Sequence, residues 1–223
     1  MMISELSFTE ENYLKAIYHL SEEGNSSVNT NSLADSMNTT PASANDMVKR
    51  LSQKNLIGYQ KYKGATLLTK GKKVALTIIR KHRLWEVFLV EKLGFKWDEV
   101  HEIAEQLEHI KSPKLIRQLD KFLGFPTIDP HGDPIPNEDG EMKETVRASI
   151  SDVDVDAMGI VVAVNNDDTL LLQHLDALKI KLGSKIRIIE RMDFDGSVSI
   201  TIDDGAKQFI SKSVAENLMI TLV

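Results

Sequence analysis

The decapeptide HEIAEQLEHI, residues 101–110, holds two imidazoles and three carboxylates. At 3.6 residues per turn His101, Glu105, Glu108 and His109 stand at i, i+4, i+7 and i+8 and share one helix face, while Ile103, Leu107 and Ile110 fall on the other. Groups of these types exchange protons and ligate metal ions. The same pattern is also that of a solvated polar face on an amphipathic helix, which is the commoner case. Only the elements around the stretch decide between the two.

The chain has 223 residues, 42% of them hydrophobic, enough for one large domain or two to three small ones. It has no cysteine, which excludes disulfide frameworks, cysteine zinc sites, iron-sulfur clusters and thiol nucleophiles and fits a reducing compartment. The opening MMISELSFTEENYLK lacks a basic segment followed by an apolar run, and the longest apolar stretches, such as MGIVVAV, are too short to cross a bilayer. The expectation is a soluble cytoplasmic chain without membrane contact. Its net charge of -6 is unevenly spread: eleven basic residues and no acid lie between Lys49 and Trp85. A one-sign stretch of this kind suits a polyanion-binding surface, with a solvated basic face as the alternative.

SFTEENYLKAIYHLSEEG carries a capping-box pattern, Ser7 to Glu10, and then apolar residues at helical spacing, which predicts a first helix. A short helix follows around 31–37, then a polar turn at 38–40, then a helix from Pro41 to about Lys54, with proline where its missing N–H costs nothing. LIGYQKYKGATLLT reads as two short strands joined by a basic turn containing Gly64. Helix, turn, helix and hairpin make a winged helix-turn-helix. Its second helix would present Thr39, Thr40, Pro41, Ala42, Ser43, Asn45 and Lys49 to double-stranded DNA, and its wing would carry Lys61 and Lys63 to the phosphates.

A long helix from Thr69 to Gly94 follows, then a helix through KWDEVHEIAEQLEHI, then one capped at Ser112 and closed at Gly124; their apolar faces suit dimerisation or an internal core. Residues 125–145 are rich in turn residues and acids and read as a loop. The last part, with MGIVVAV, KIRIIERM and SVSITIDD, reads as strands of a small β-barrel. The predicted class is multidomain, mainly α with β: a winged helix-turn-helix over 1–74, a helical metal-binding and dimerisation domain over 75–145 and an SH3-like barrel over 146–223.

TEENYLKAIYHL, TTPASANDMVKRL, LTKGKKVA, RKHRLWEVFLVEKLG, VHEIAEQLEHI, PHGDPIP and LDALKIKLGSKIRII together resemble the diphtheria-toxin-repressor family of iron- and manganese-dependent transcriptional regulators along essentially the whole chain. The resemblance implies a homodimeric repressor of metal-ion homeostasis that binds operator DNA with a divalent metal as corepressor, and no organic cofactor. The C-terminal domain would be SH3-like, of the FeoA type. Carried over position by position, the main metal site falls on Asn12, Glu105, Glu108 and His109. His82, Glu86 and His101 match a second site, and the loop before PIP would add Asp129 and His131, with Asp167 from the terminal domain completing it.

Three departures from the family pattern bear on the metal. Iron-regulating members have cysteine where this chain has Glu105, manganese-regulating members have an acid where it has Asn12, and the second-site Glu and Gln of the iron regulators align with Val162 and Asn165. Oxygen-rich ligands favour a hard ion, so Mn²⁺ is the expected corepressor and Fe²⁺ the alternative. Rival readings are a metal-dependent hydrolase using Glu105, Glu108 and His109, for which no H-E-x-x-H motif is present, and a regulator answering to an organic ligand.

Overall fold

The computed structural model describes residues 6–21, 23–60, 63–142, 146–166 and 168–223. It divides into two compact units, one of residues 1–82, 105–122 and 136–142, the other of residues 83–104, 123–135 and 143–223. Among the described residues no helix is long and apolar enough to cross a membrane.

In the first unit the predicted capping box forms: Ser7 N–H donates to Glu10 Oε2 at 3.0 Å and Glu10 N–H to Ser7 Oγ at 3.3 Å, starting α1, Phe8–Leu20. Asn29 caps α2, Thr30–Ser36. Asn38 takes the left-handed conformation (φ 47°) in the turn, and Thr40 caps α3, Pro41–Gln53, with Pro41 in the first helical turn. Lys54 closes α3 against α1 through a 2.6 Å ion pair with Glu10.

Strands β1, Ile57–Gln60, and β2, Gly64–Leu67, form an antiparallel hairpin. Gly64 is required where it stands: φ is +92°, and a Cβ would lie 2.4 Å from the Val28 carbonyl oxygen, because Val28 and Ala65 exchange backbone hydrogen bonds. Leu14, Ile17, Leu33, Leu51, Leu56, Ile57 and Ile78 fill the core of this unit. Ile78 comes from α4, Thr69–Leu93, a 25-residue helix that contributes to both units and ends before Gly94 (φ 73°).

One difference bears on the site. The helix expected to run on to Ile110 stops early: α5 spans only His101–Leu107, and Glu108 and His109 lie in the turn that follows, where Ile110 N–H donates to the Leu107 carbonyl. Contacts from distant parts of the chain decide this, since Glu108 is held by His82 and His109 by Glu11. Helix α6, Pro113–Phe122, follows after Ser112 as predicted.

The second unit holds an antiparallel six-stranded sheet in the order β3-β8-β4-β5-β6-β7. Its strands are β3 (Ala148–Ser149), β4 (Met158–Val164), β5 (Lys185–Arg191), β6 (Val198–Ile202), β7 (Lys207–Ile210) and β8 (Leu218–Leu222), with helices α7 (Thr169–Ala177) and α8 (Lys212–Asn217). Alternation directs Ile186 and Ile188 of β5 inward, where they join Leu172, Leu175, Val198, Ile200, Leu218 and Ile220 in the core.

The sheet corrects the expected SH3-like β-barrel: β3 and β7 are its two edges and do not pair with each other, so it is not closed. The reason lies in β3. It is two residues long and breaks at once into a 3₁₀ turn, Ile150–Asp152, capped by Ser149. Helix α8 leaves the end of β7 and packs against that turn and against β3, burying Val214 and Ala215. Arg191 holds the turn by donating to the carbonyls of Ile150 and Val153.

Candidate metal centre

In the first unit, α1 brings Glu11, Asn12 and Lys15 to one face at i, i+1 and i+4. The turn after α5 adds Glu108 and His109, α5 itself adds Glu105, and α4 adds His82. Glu11 and Glu108 are fully buried. His109 Nδ1 donates to Glu11 Oε2 at 2.7 Å, so its Nε2 turns to the other edge, 3.8 Å from Glu108 Oε1. His82 Nδ1 donates to Glu108 Oε2 at 2.6 Å.

Lys15 Nζ lies 2.8 Å from the Glu108 carboxylate and 3.2 Å from Glu105 Oε1. Burial alone would raise the Glu108 carboxyl, but the hydrogen bond from His82 and the charge of Lys15 outweigh it and hold the group below its ordinary value. Lys81, also buried, is held down mainly by burial, against the pull of Glu11 and Glu108. The Phe8 ring stacks on His109 at 4.6 Å between centroids and shields it.

Glu11 Oε1 and Asn12 Oδ1 are buried and accept no hydrogen bond from any of the described residues. Leaving such oxygens unpaired is costly, and a cation is the partner that suits them. His109, which pairs with Glu11, also reaches Glu108, so carboxylate, amide and imidazole donors of the kinds that hold a divalent metal ion are delivered to this region.

The second unit holds a separate cluster. Glu86 of α4, Asp129 and His131 are all buried, and their ligand atoms lie within 4.8 Å of one another. His101 Nδ1 is 3.7 Å from Glu86 Oε1. His131 donates Nε2–H to the Trp97 carbonyl at 2.9 Å, which turns Nδ1 towards Glu86 Oε2, 3.8 Å away. Asp129 accepts the backbone N–H groups of His131 (2.8 Å) and Asp133 (2.9 Å) and pairs with Arg83 Nε at 3.3 Å.

Burial, reinforced by the neighbouring Glu86, pushes the Asp129 carboxyl up to about 7. Burial works against a charged His131, but the contact with Glu86 and the charge of Asp129 outweigh it and raise the imidazole to about 9. Two buried carboxylates that resist ionising together, beside an imidazole whose tautomer is held by a carbonyl, also fit a divalent cation. The loop cannot drift: Gly132 has φ +90°, and a Cβ there would meet the Val162 carbonyl oxygen at 1.9 Å.

The structure thus brings His109 between Glu11 and Glu108, ties Glu105 and Glu108 through Lys15, leaves Asn12 beside Glu11 on α1, places His82 on Glu108, and sets Glu86 next to Asp129 and His131, with His101 3.7 Å from Glu86. Asp167 lies outside the described residues. Val162 and Asn165 contribute backbone instead, Val162 as the wall behind Gly132 and Asn165 through its N–H to the Asn217 carbonyl. Sequence reasoning missed Glu11, Lys15 and Trp97. The signal for the first two was their shared helix face with Asn12; Trp97, whose ring stacks on His131 at 6.2 Å and whose Nε1 donates to Asp176, left none.

On the helix-turn-helix, Thr39, Pro41, Ala42, Ser43 and Lys49 are exposed at the start and outer face of α3. The exposed Thr40 is committed to its cap, accepting from Ser43 N–H at 3.2 Å. Asn45 is half-buried and accepts from Tyr59 O–H at 2.9 Å, which fixes the hairpin against α3. Lys49 pairs with Asp46, Lys63 is exposed, and Lys61 lies outside the described residues.

Residues 5–65 match the family model for the N-terminal DNA binding domain of iron dependent repressors, residues 69–137 that for their metal binding and dimerisation domain, and residues 148–222 the FeoA domain. The iron-dependent repressor IdeR of Mycobacterium leprae is 36% identical over 134 residues, 60% of this chain and 58% of that protein. The chain therefore spans somewhat more than half the length of that relative. The diphtheria toxin repressor of Corynebacterium diphtheriae is 28% identical over 212 residues, 89% of this chain and 91% of that one. The solved structure of a manganese-dependent transcriptional repressor in complex with manganese is 33% identical, with a TM-score of 0.88 over 96% of this chain and 100% of that one.

Proposed function

Because the chain belongs to the diphtheria-toxin-repressor family of metal-dependent, DNA-binding transcriptional regulators, we propose that it represses transcription as a homodimer on operator DNA with Mn²⁺ as corepressor. The observation that carries this reading is the buried chain of contacts from Glu11 through His109 to Glu108, with the buried Asn12 Oδ1 next to it on α1, which joins the helix preceding the helix-turn-helix to the turn after α5. A bound divalent ion supplies two positive charges to these oxygens.

In this reading Asn12, Glu105, Glu108 and His109 are the ligands of the main site. Glu11 and His82 are positioning residues: Glu11 holds the His109 tautomer so that Nε2 is available, and His82 orients Glu108. Drawing α1 towards α5 selects the arrangement in which the two recognition helices of a dimer meet successive half-sites, a population shift whose size is set by the differential affinity of the ligands for that arrangement. Glu86, Asp129 and His131, with His101 beside Glu86, form a second site. The DNA-contacting group is Thr39, Pro41, Ala42, Ser43, Lys49 and Lys63, carried by a domain over 1–74, with residues 75–145 as the metal-binding and dimerisation domain and 146–223 as the FeoA-like domain.

Mn²⁺ is favoured by the donor set, which is rich in oxygen and contains no thiolate because the chain has no cysteine. The manganese complex among the similar structures supports the same choice. Fe²⁺ is the second reading, favoured by the imidazole of His109 in the main cluster and by the similarity to an iron-dependent repressor. Anaerobic titration of DNA from upstream of the protein's own gene with metal-free protein, Mn²⁺, Fe²⁺ and Zn²⁺ tests this. Mn²⁺ is expected to promote DNA binding at concentrations no higher than Fe²⁺; DNA binding indifferent to all three ions would refute the reading.

A further inference from the structure

Lys15 stands four residues after Glu11 and three after Asn12, so α1 delivers its side chain to the same face. Lysine ordinarily carries its ammonium into water. Here the side chain is only 14% exposed, and Nζ lies 2.8 Å from the fully buried Glu108 carboxylate and 3.2 Å from Glu105 Oε1. Those are two of the carboxylates assigned above to the metal, so the ammonium and a divalent ion need the same oxygens. Carboxylates engaged at such distances make charge-assisted hydrogen bonds, which must be given up before an ion can coordinate there.

We propose that Lys15 is a resident competitor cation that sets the threshold concentration of divalent metal at the main site. The inference rests on the metal-site reading above. In the metal-free protein Lys15 neutralises part of the charge of Glu105 and Glu108 and ties α1 to α5 with a single positive charge. Glu105 and Glu108 would have to release the Lys15 ammonium to hold a divalent ion, and the exposed side of Glu105 gives the four-carbon stem a way to water. Every divalent ion meets the same displacement cost, so Lys15 shifts the whole affinity series to higher concentration without reordering it.

The test removes the charge and keeps the shape. In a Glu86→Gln, His131→Ala background, where only the main cluster should load, Mn²⁺ is titrated into the parent, Lys15→Met and Lys15→Arg, and free Mn²⁺ is read by its electron paramagnetic resonance signal. Lys15→Met is expected to bind Mn²⁺ roughly ten- to hundredfold more tightly than the parent, the scale of one or two charge-assisted hydrogen bonds, and Lys15→Arg no more tightly than the parent. Metal-free melting curves check folding, with Lys15→Gln standing in should the Met variant not fold. Equal or weaker binding by the neutral variants overturns the proposal and makes Lys15 a support for the ligands. Mn²⁺ binding by none of the proteins overturns the metal-site reading itself and this inference with it.

Discussion

Glu11 Oε2 lies 2.7 Å from His109 Nδ1, both groups buried, on elements 98 residues apart in the chain. The contact fixes which imidazole nitrogen carries the proton and which edge of the ring is turned towards Glu108. It makes Glu11 the residue that sets the orientation of His109, although its neighbour Asn12 is the one proposed as a ligand.

Glu11→Gln keeps the shape but weakens the hold on His109. Mn²⁺ affinity at the main site is expected to fall by about 10- to 100-fold, the usual effect of losing a partner that orients a ligand. Calorimetric titration of the variant checks this, and unchanged affinity would remove Glu11 from the site.

Gly132→Ala places a methyl group where the Val162 carbonyl oxygen stands, in a left-handed backbone conformation. The loop carrying Asp129 and His131 must then shift. The variant is expected to lose the second class of Mn²⁺ sites while keeping the first, as read by equilibrium dialysis.

The pH dependence of the second cluster has a definite sign. Asp129 is raised to about 7 and His131 to about 9, both above their ordinary values, so the metal-free folded protein holds these protons more tightly than the unfolded chain. The contribution of His131 to stability is present below its unfolded value and is lost as pH rises through about 9; that of Asp129 falls away as pH rises towards about 7. Metal ligation requires both groups deprotonated, so Mn²⁺ affinity should rise over the same interval, by up to about tenfold per pH unit for each proton released. Titration calorimetry in buffers of different ionisation enthalpy counts those protons, and release of none would contradict the assignment.

Lys63 in the wing is exposed and tests the DNA face. Lys63→Ala should weaken binding to all DNA sequences alike and reduce the slope of log affinity against log salt by about 1. Thr40→Ala, by contrast, removes the α3 cap and should cost about 1 kcal/mol of stability in denaturant titration.

Local chemistry carried much of the fold into the sequence. Ser7 and Glu10, Thr40 and Pro41, and Ser112 with Pro113 mark helix starts that depend only on neighbours a few residues away. The open sheet was not legible: alternation in β5 tells which face is buried, but not whether two distant edge strands pair, and β3 is too short to announce itself. The end of α5 at Leu107 was hidden for a similar reason, since it is set by His82 and Glu11, 26 and 98 residues from their partners. Glu11 reads as an ordinary acid in the first turn of a helix, and Lys15 as an ordinary surface lysine, until the fold brings α5 against them.

The most direct measurement is fluorescence anisotropy of DNA from upstream of the protein's own gene, titrated with wild type and with Glu108→Ala, each in Mn²⁺ and in chelator. Wild type should bind far more tightly with Mn²⁺ than with chelator, and Glu108→Ala, still folded by circular dichroism, should bind equally weakly in both. Normal Mn²⁺-stimulated binding by Glu108→Ala would contradict the account, because the buried carboxylate at its centre would then have no part in the response.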